Sequence, residues 1–392
     1  MNIPGHELSQ RISRLQKQLQ DHDMAGALLV QRADLYYFSG TGQNAHLFIP
    51  ARGEAVLLVK KNLARARRES PLEAIVSMDS FTQLAAFVRE VLQPGDRIGL
   101  EMDVLPANHY FRYQKILDGF NLVDVSPLIR RIRAVKSAYE VEQMREAAGL
   151  SKSVFAYASE IIREGMSEVE LASSLEAFAR ARGHQGAVRM RGFNQELHFG
   201  HIMAGESAAA PTFFDGPTGG WGLNPSYPQG AGLNRVKRHQ PILIDFVSIV
   251  NGYMVDQTRI FSLGSLPPVL DRAFNTALQI KQALMEMGRP GISGSKLYQA
   301  AADLARQAGL EEHFMGFEEK VSFVGHGVGL ELDELPVIAR HVELPLEEGM
   351  VFALEPKFIF PDLGVVGIED TFLVQPHGLE AITSFAERPQ LD

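Results

Sequence analysis

Residues 242–261 read ILIDFVSIVNGYMVDQTRIF, and the fold turns on how this stretch pairs with itself. Two carboxylates, Asp245 and Asp256, sit in apolar, β-branched runs on either side of Asn251-Gly252, which is the composition of a β-hairpin. An even-membered loop, Val250-Asn251 or Ile249–Gly252, sets the two acids directly opposite each other. They then share one face, with Cβ atoms about 4.5–5.5 Å apart. That spacing suits one shared metal ion, or two ions about 3.5–4 Å apart.

A second pair of acids repeats the arrangement near the C-terminus. Glu355, in MVFALEPKF, and Glu369, in VVGIEDTFLV, flank Pro361-Asp362-Leu363-Gly364, which predicts a hairpin centred on Asp362 with an odd-membered loop. Between the two hairpins, Gly325-His326-Gly327-Val328-Gly329 is a small-residue loop that lets an imidazole approach whatever the carboxylates bind. Four carboxylates on one face raise one another's pKa unless a cation joins them. Oxygen-rich ligation with a single His and no thiolate suits Mn, Co, Fe or Zn at a reactive site better than a structural zinc.

LIDFVSIVNGYMVDQTRIF, GHGVGLELDELP, FALEP and GIEDT resemble, in order over roughly residues 136–375, the successive signatures of the pita-bread metallopeptidases. That group holds methionine aminopeptidases, aminopeptidase P, prolidases and the metal-free creatinases. The resemblance implies an α+β pita-bread domain over 136–392, preceded by an α/β domain of creatinase type over 1–128. It also implies two divalent ions held by Asp245, Asp256, His326, Glu355 and Glu369, with Asp256 and Glu369 as bridging carboxylates. Glu355 would serve as both ligand and proton shuttle, and Arg259 would orient a carboxylate from behind.

Three departures from the family pattern bear on substrate. Asp333 stands in Leu332-Asp333-Glu334-Leu335-Pro336 where an imidazole is usual, and is counted with Glu355 and Arg259 among the catalytic candidates. Thr212 replaces a second histidine, and Gly367 stands where proline-specific members often carry Arg. Other groups are then needed at the substrate, and His198, His201, Thr212 and Trp221 are the candidates; Trp221 or Tyr227, in the Gly/Pro-dense segment 216–232, would form an apolar wall. The expected activity is hydrolysis of a peptide bond adjacent to proline, as in Xaa-Pro aminopeptidases and prolidases. The alternative is a metal-dependent hydrolase or lyase acting on a small non-peptide metabolite. A peptide-binding platform without catalysis has no need of five ordered ligands.

Composition narrows the partners. A length of 392 residues accommodates two domains with sizeable cores. A net charge of −9 argues against nucleic acid or an anionic membrane as partner, and zero cysteines exclude disulfides and a thiolate nucleophile. No leader pattern and no apolar run of about 18 residues is apparent, so cytoplasm is the expected compartment. The family resemblance further implies a homodimer, with a peptide or small amide as substrate.

In chain order, residues 6–23 predict an amphipathic helix with Leu8, Ile12, Leu15 and Leu19 on one stripe. Strands are expected over 25–30, 36–38, 45–49, 55–59, 75–78 and 97–101, and a helix over 82–92. The 60–68 charge run reads as a solvated helix face. Ser137 with Glu140, and Ser167 with Glu170, are capping boxes that should open two long helices.

Overall fold

The computed structural model describes residues 2–391 and divides into two compact units, up to Arg133 and from Ala134 onward. In the first unit, helices α1 (Gly5–Asp21), α2 (Arg32–Ser39), α3 (Leu63–Glu69), α4 (Phe81–Val91), α5 (Ala107–Ile116) and α6 (Ser126–Ala134) alternate with six strands. These are β1 (Gly26–Leu29), β2 (Ala45–Pro50), β3 (Val56–Val59), β4 (Ile75–Ser77), β5 (Arg97–Leu100) and β6 (Asn121–Asp124), in the order β4-β3-β2-β1-β5-β6. Leu28, Phe48, Leu58 and Ile98 form a core with Leu84 and Val88 of α4.

Residues 36–38 depart from expectation: Tyr36-Tyr37-Phe38 lies in α2, not in a strand. Gln31 caps that helix by accepting the Asp34 N–H at 2.8 Å, and Gly40 ends it at φ 77°. Burial on nearly every side of the short helix leaves no helical stripe to detect.

His46, on β2, is buried with its Nε2 2.7 Å from the Tyr113 hydroxyl. Burial, followed by the charges of Lys60 and His109, pushes its pKa down to about 4. Between that value and the unfolded value near 6.5, the unfolded chain binds the extra proton, so this residue's contribution to stability is lost as pH falls through the window. Stability should decline by up to roughly 3 kcal/mol between pH 6.5 and 4 on this account. Urea unfolding across that range should give a flatter profile for His46→Gln than for the wild type.

The second unit opens with α7 (Ala138–Ile161) and α8 (Glu168–Ala181), each closed at its N-terminus by the expected reciprocal capping box. β7 (Gly200–Ala204), β8 (Ile242–Val250), β9 (Tyr253–Leu263) and, at the C-terminal end, β17 (Gln390–Leu391) form one sheet, in the order β17-β9-β8-β7. A second sheet runs β11 (Glu334–Ala339), β10 (Phe323–Gly327), β12 (Val351–Leu354), β15 (Asp370–Gln375) and β16 (Gly378–Ala381). β13 (Lys357–Phe360) and β14 (Gly364–Gly367) form a separate two-stranded ribbon, and α9 (Pro268–Met287) and α10 (Gly294–Gln307) complete the helices.

Each sheet has its own helical cover. Val154, Phe155, Leu171 and Leu175 of α7 and α8 pack on Ile244, Phe246 and Phe261, while Phe274, Leu284 and Leu297 of α9 and α10 pack with Ile338, Phe352 and Leu354. Side chains alternate across a strand, so Asp245 lies on the face opposite Ile244 and Phe246. The helix cores thus leave the acid-bearing faces for the site.

Glu168, at the first turn of α8, is buried and accepts the Ala204 N–H (2.7 Å), the Gly232 N–H (2.8 Å), the Asn234 side-chain amide (3.1 Å) and the Ser207 hydroxyl. One carboxylate therefore holds both ends of segment 205–231. No helix among the described residues is long and apolar enough to cross a membrane.

Candidate metal centre

The first acid hairpin is shifted from the expected register. Asn251 (φ 51°) and Gly252 (φ 89°) are both left-handed, which makes them the two central residues of the turn. Val250 pairs with Tyr253, Asp245 with Thr258 and Asp256 with Val247. Asp245 and Asp256 are therefore diagonal neighbours on one face, not directly opposed. The second hairpin keeps the expected centre: Phe360 pairs with Gly364, Lys357 with Gly367 and Leu354 with Asp370. In the gap between those ladders, Glu369 exchanges backbone hydrogen bonds with Thr258, both 3.2 Å, which joins the second hairpin to the first.

His326 sits on β10 between two glycines that the strand spacing demands. A Cβ at Gly325 would stand 2.4 Å from the Ala353 carbonyl, and one at Gly327 would stand 2.2 Å from the Leu335 carbonyl. Its Nδ1 donates to the Leu332 carbonyl at 2.8 Å, which leaves the Nε2 lone pair facing the acids. Nε2 lies 3.8 Å from Asp256 Oδ2, 3.7 Å from Glu355 Oε1 and 3.8 Å from Glu369 Oε1. Those separations exceed a hydrogen bond but suit ligands of one ion about 2.0–2.2 Å from each.

Two buried oxygens here, Asp256 Oδ1 and Glu369 Oε1, have no hydrogen-bond partner. Carboxylate oxygens only accept, so a cation is the partner that fits them. Ligand atoms of Asp256, His326 and Glu369 all lie within 4.8 Å of one another. Among the protein's own groups, burial and then the charges of Glu369 and Asp245 raise Asp256 well above the carboxylate range. Burial raises Glu369 to about 7, with the Lys357 charge opposing and Glu355 and Asp245 reinforcing the shift.

Lys357, two residues beyond Glu355, belongs to none of the ligand positions that the sequence implies. It is 1% exposed, and its ammonium donates to Asp245 Oδ2 (2.9 Å), Glu355 Oε2 (2.7 Å) and Glu369 Oε2 (2.9 Å). Burial opposes its charge, but Asp245, Glu355 and Glu369 outweigh burial and hold its pKa well above the usual lysine value. The same ammonium, followed by His201, overcomes burial at Asp245 and keeps that carboxyl below its usual range. Of the five residues expected as ligands, Asp256, His326 and Glu369 turn atoms toward a common point, and Glu355 reaches its edge with Oε1 3.7 Å from His326 Nε2. Asp245 meets them through Lys357.

The other candidates divide between the cavity and the frame around it. A cavity of about 330 Å³ opens over the centre, and Met190, Phe193, Phe214, Phe323, Leu332 and Val337 supply an apolar lining. His201 lines it too: it pairs with Asp245 across β7 and β8, is buried, and its Nε2 has no hydrogen-bond partner. Thr212 is not part of the lining and spends its hydroxyl on the Pro228 carbonyl at 2.5 Å. His198 lies against Tyr227, with ring centroids 5.7 Å apart, also outside the lining. Trp221 is half exposed and lines nothing there; Gly216, Pro217 and Thr218 are the part of its segment that reaches the cavity, and Phe214 provides the wall.

Asp333 and Arg259 are fixed by other duties. The two oxygens of Asp333 accept the Arg191 and Gly192 N–H groups, both at 2.6 Å, and so hold the loop that carries Met190 and Phe193. Charge-assisted bonds of this kind are worth about 1.5–3 kcal/mol each. Asp333→Ala should therefore speed amide exchange at Arg191 and Gly192 by about 10- to 100-fold, read by hydrogen exchange, with little change at β8 and β9. Arg259 donates to the Glu369 carbonyl (2.8 Å), the Thr258 carbonyl (2.9 Å) and Asp370 (2.8 Å), so it braces the backbone of Glu369, not its carboxylate.

A carboxylate-rich centre with one imidazole, set among helix-covered sheets and their acid-bearing hairpins, defines the pita-bread class of fold. The chain belongs to metallopeptidase family M24, whose model matches residues 142–376, and residues 11–135 match the Creatinase/Prolidase N-terminal domain. It is 26% identical over 380 residues to the Xaa-Pro dipeptidase of Pyrococcus furiosus, covering 96% of this chain and 98% of that protein. Among solved structures, the Xaa-Pro dipeptidase from Bacillus anthracis superposes with a TM-score of 0.83 at 24% identity, covering 98% of this chain and 100% of that one. The dipeptidase PepE from Mycobacterium ulcerans gives 0.83 at 22% identity, covering all of both chains. Membership in a metallopeptidase family implies a divalent metal.

Proposed function

We propose that the protein is a metal-dependent hydrolase that cleaves a peptide bond adjacent to proline in short peptides. The observation that carries this reading is the convergence of Asp256, His326 and Glu369 on one point beneath an apolar-walled cavity, with two of their oxygens unpartnered. Relatives along nearly the whole chain are named Xaa-Pro dipeptidase, which supports the substrate class.

A divalent ion bound there would acidify a water and polarise a carbonyl. The chain's own residues supply the rest. Glu355, with Oε2 fixed by Lys357 and Oε1 turned to the ion side, accepts the proton of the attacking water and returns it to the leaving nitrogen. With its proton on Nε2, His201 donates to a substrate oxygen in place of the imidazoles absent at 212 and 333. The apolar wall of Phe193, Phe214 and Leu332 takes a pyrrolidine ring and excludes water around it. A homodimer belongs to the same reading, on the strength of the family resemblance, with the cytoplasm as the expected compartment.

A second reading, a small non-peptide amide as substrate, is favoured by one observation: Thr212 stands outside the cavity lining with its hydroxyl on the Pro228 carbonyl, and Asp333, which is in the lining, has both oxygens on backbone N–H groups and presents no donor there. Chelator-stripped protein reconstituted with Mn, Co or Zn and given Xaa-Pro dipeptides and Xaa-Pro-Xaa tripeptides decides between them. Metal-dependent release of the N-terminal residue is the expected result. Metal uptake without cleavage of any member of the panel would overturn the peptide reading in favour of the second.

A further inference from the structure

Glu355 and Glu369 each turn one oxygen to Lys357 and the other to His326; Oε2 of Glu369 also accepts the Thr258 hydroxyl at 2.7 Å. Oε2 of both accepts from Lys357, at 2.7 and 2.9 Å, while Oε1 of both faces His326 Nε2, at 3.7 and 3.8 Å. A carboxylate that spans two cations in a dinuclear centre makes the same division. Here one of the two positions already holds a cation. The ammonium has three hydrogens and meets three carboxylates, so its donors are fully used.

The route of the lysine stem is built into the hairpin. Lys357 and Gly367 are direct partners across β13 and β14. A Cβ at residue 367 would stand 2.7 Å from Lys357 Cγ and 2.6 Å from the Pro356 carbonyl. Only a glycine leaves space for the stem to cross there. The lysine and the glycine are thus one device, although they lie ten residues apart in the chain.

The opposite half of the centre presents acceptors that no protein group partners. Asp256 Oδ1 and Glu369 Oε1 are buried and unpartnered, and the Nε2 lone pair of His326 points among them. Four carboxylates face a single lysine, so one divalent ion brings the centre close to neutrality without a second. A further ion placed among Asp245, Glu355 and Glu369 would compete with Nζ for the same oxygens. Admitting it would push a buried ammonium away from its three partners, and burying an unpaired charge is far costlier than leaving the pair intact.

We propose that the centre takes one divalent ion, on the side of Asp256, His326, Glu355 and Glu369, and that the Lys357 ammonium permanently fills the second cation position. The proposal rests on the metal-dependent reading above and replaces the pair of ions that the family resemblance implied. Lysine here is a fixed charge: it neutralises Asp245 and holds Glu355 and Glu369, but it brings no open coordination site. An ion held there would have to supply both water activation and carbonyl polarisation without a second metal.

The test measures the metal, not turnover. Full-length wild type and Lys357→Gly are stripped with chelator, loaded with excess Mn(II), desalted, and assayed for metal per chain and by electron paramagnetic resonance. Circular dichroism serves as the check on folding. The expected result is one ion per wild-type chain with the six-line signal of isolated Mn(II). The variant, its lysine gone, should take two ions and show the broadened signal of a coupled pair. Two ions per wild-type chain would overturn the proposal while leaving the metal-dependent reading intact. One ion in both proteins would show that Lys357 excludes nothing and would overturn it as well. A folded wild type that retains no Mn(II), and no Zn(II) in a parallel loading, would overturn the metal reading itself. Should the glycine variant not fold, the wild-type stoichiometry and spectrum decide alone.

Discussion

Replacing Lys357 by Met is expected to cost the metal-free protein about 3–5 kcal/mol, the penalty of removing one partner from a buried ion pair. Asp245, Glu355 and Glu369 would be left facing one another with no cation between them, two of the three being buried. Urea unfolding in chelator should show the loss as a lower midpoint with an unchanged slope. Adding a divalent metal should then restore more stability to the variant than to the wild type. At 100 times its dissociation constant an ion returns about 2.7 kcal/mol, and the variant offers it an additional set of oxygens. Equal stability of the two proteins in chelator would mean that the ammonium does not hold the centre together.

Asp256→Asn carries the largest expected loss of activity. The change is isosteric and leaves β8 and β9 paired, yet it removes the charge from an oxygen that no other group satisfies. Altering a group merely behind a metal ligand typically costs 10- to 100-fold in affinity or rate. Loss of a ligand should exceed that, so kcat/KM on a cleaved peptide should fall by more than about 100-fold. Retained metal after desalting should drop in parallel, while circular dichroism stays unchanged. A variant that kept both metal and rate would move the centre away from Asp256.

Much of this site could be read from the chain because it is built from hairpins. Glu355 and Glu369 are equidistant from Asp362, and the ladder keeps that centre. For Asp245 and Asp256 the turn residues were visible, but the pairing was centred one residue too early. Only the left-handed backbone of both Asn251 and Gly252 fixes the loop and makes the acids diagonal. Side-chain chemistry was harder to foresee than position. Thr212 and Trp221 belong to a long segment whose path no periodicity constrains, and neither lines the cavity. Lys357 was missed although a signal existed: a lysine shares the strand face of Glu355, two residues away, and mirrors a glycine across the hairpin. In the first unit, Tyr36-Tyr37-Phe38 looked like a strand because a short helix buried on nearly all sides has no polar face to betray its period.

The Glu168 clasp has a consequence for how such a protein can diversify. One carboxylate ties the amide of Ala204, at the end of β7, to that of Gly232, so the intervening segment leaves and returns at a single knot on the first turn of α8. The entropy of closing that loop grows only slowly with its length, by about 0.6 kcal/mol for each doubling. Its middle can lengthen, shorten or be exchanged wholesale while the knot keeps His201 and Asp245 in register. Segment 205–231 is in that sense a cassette. New substrate preferences can be spliced in there without rebuilding the centre beneath.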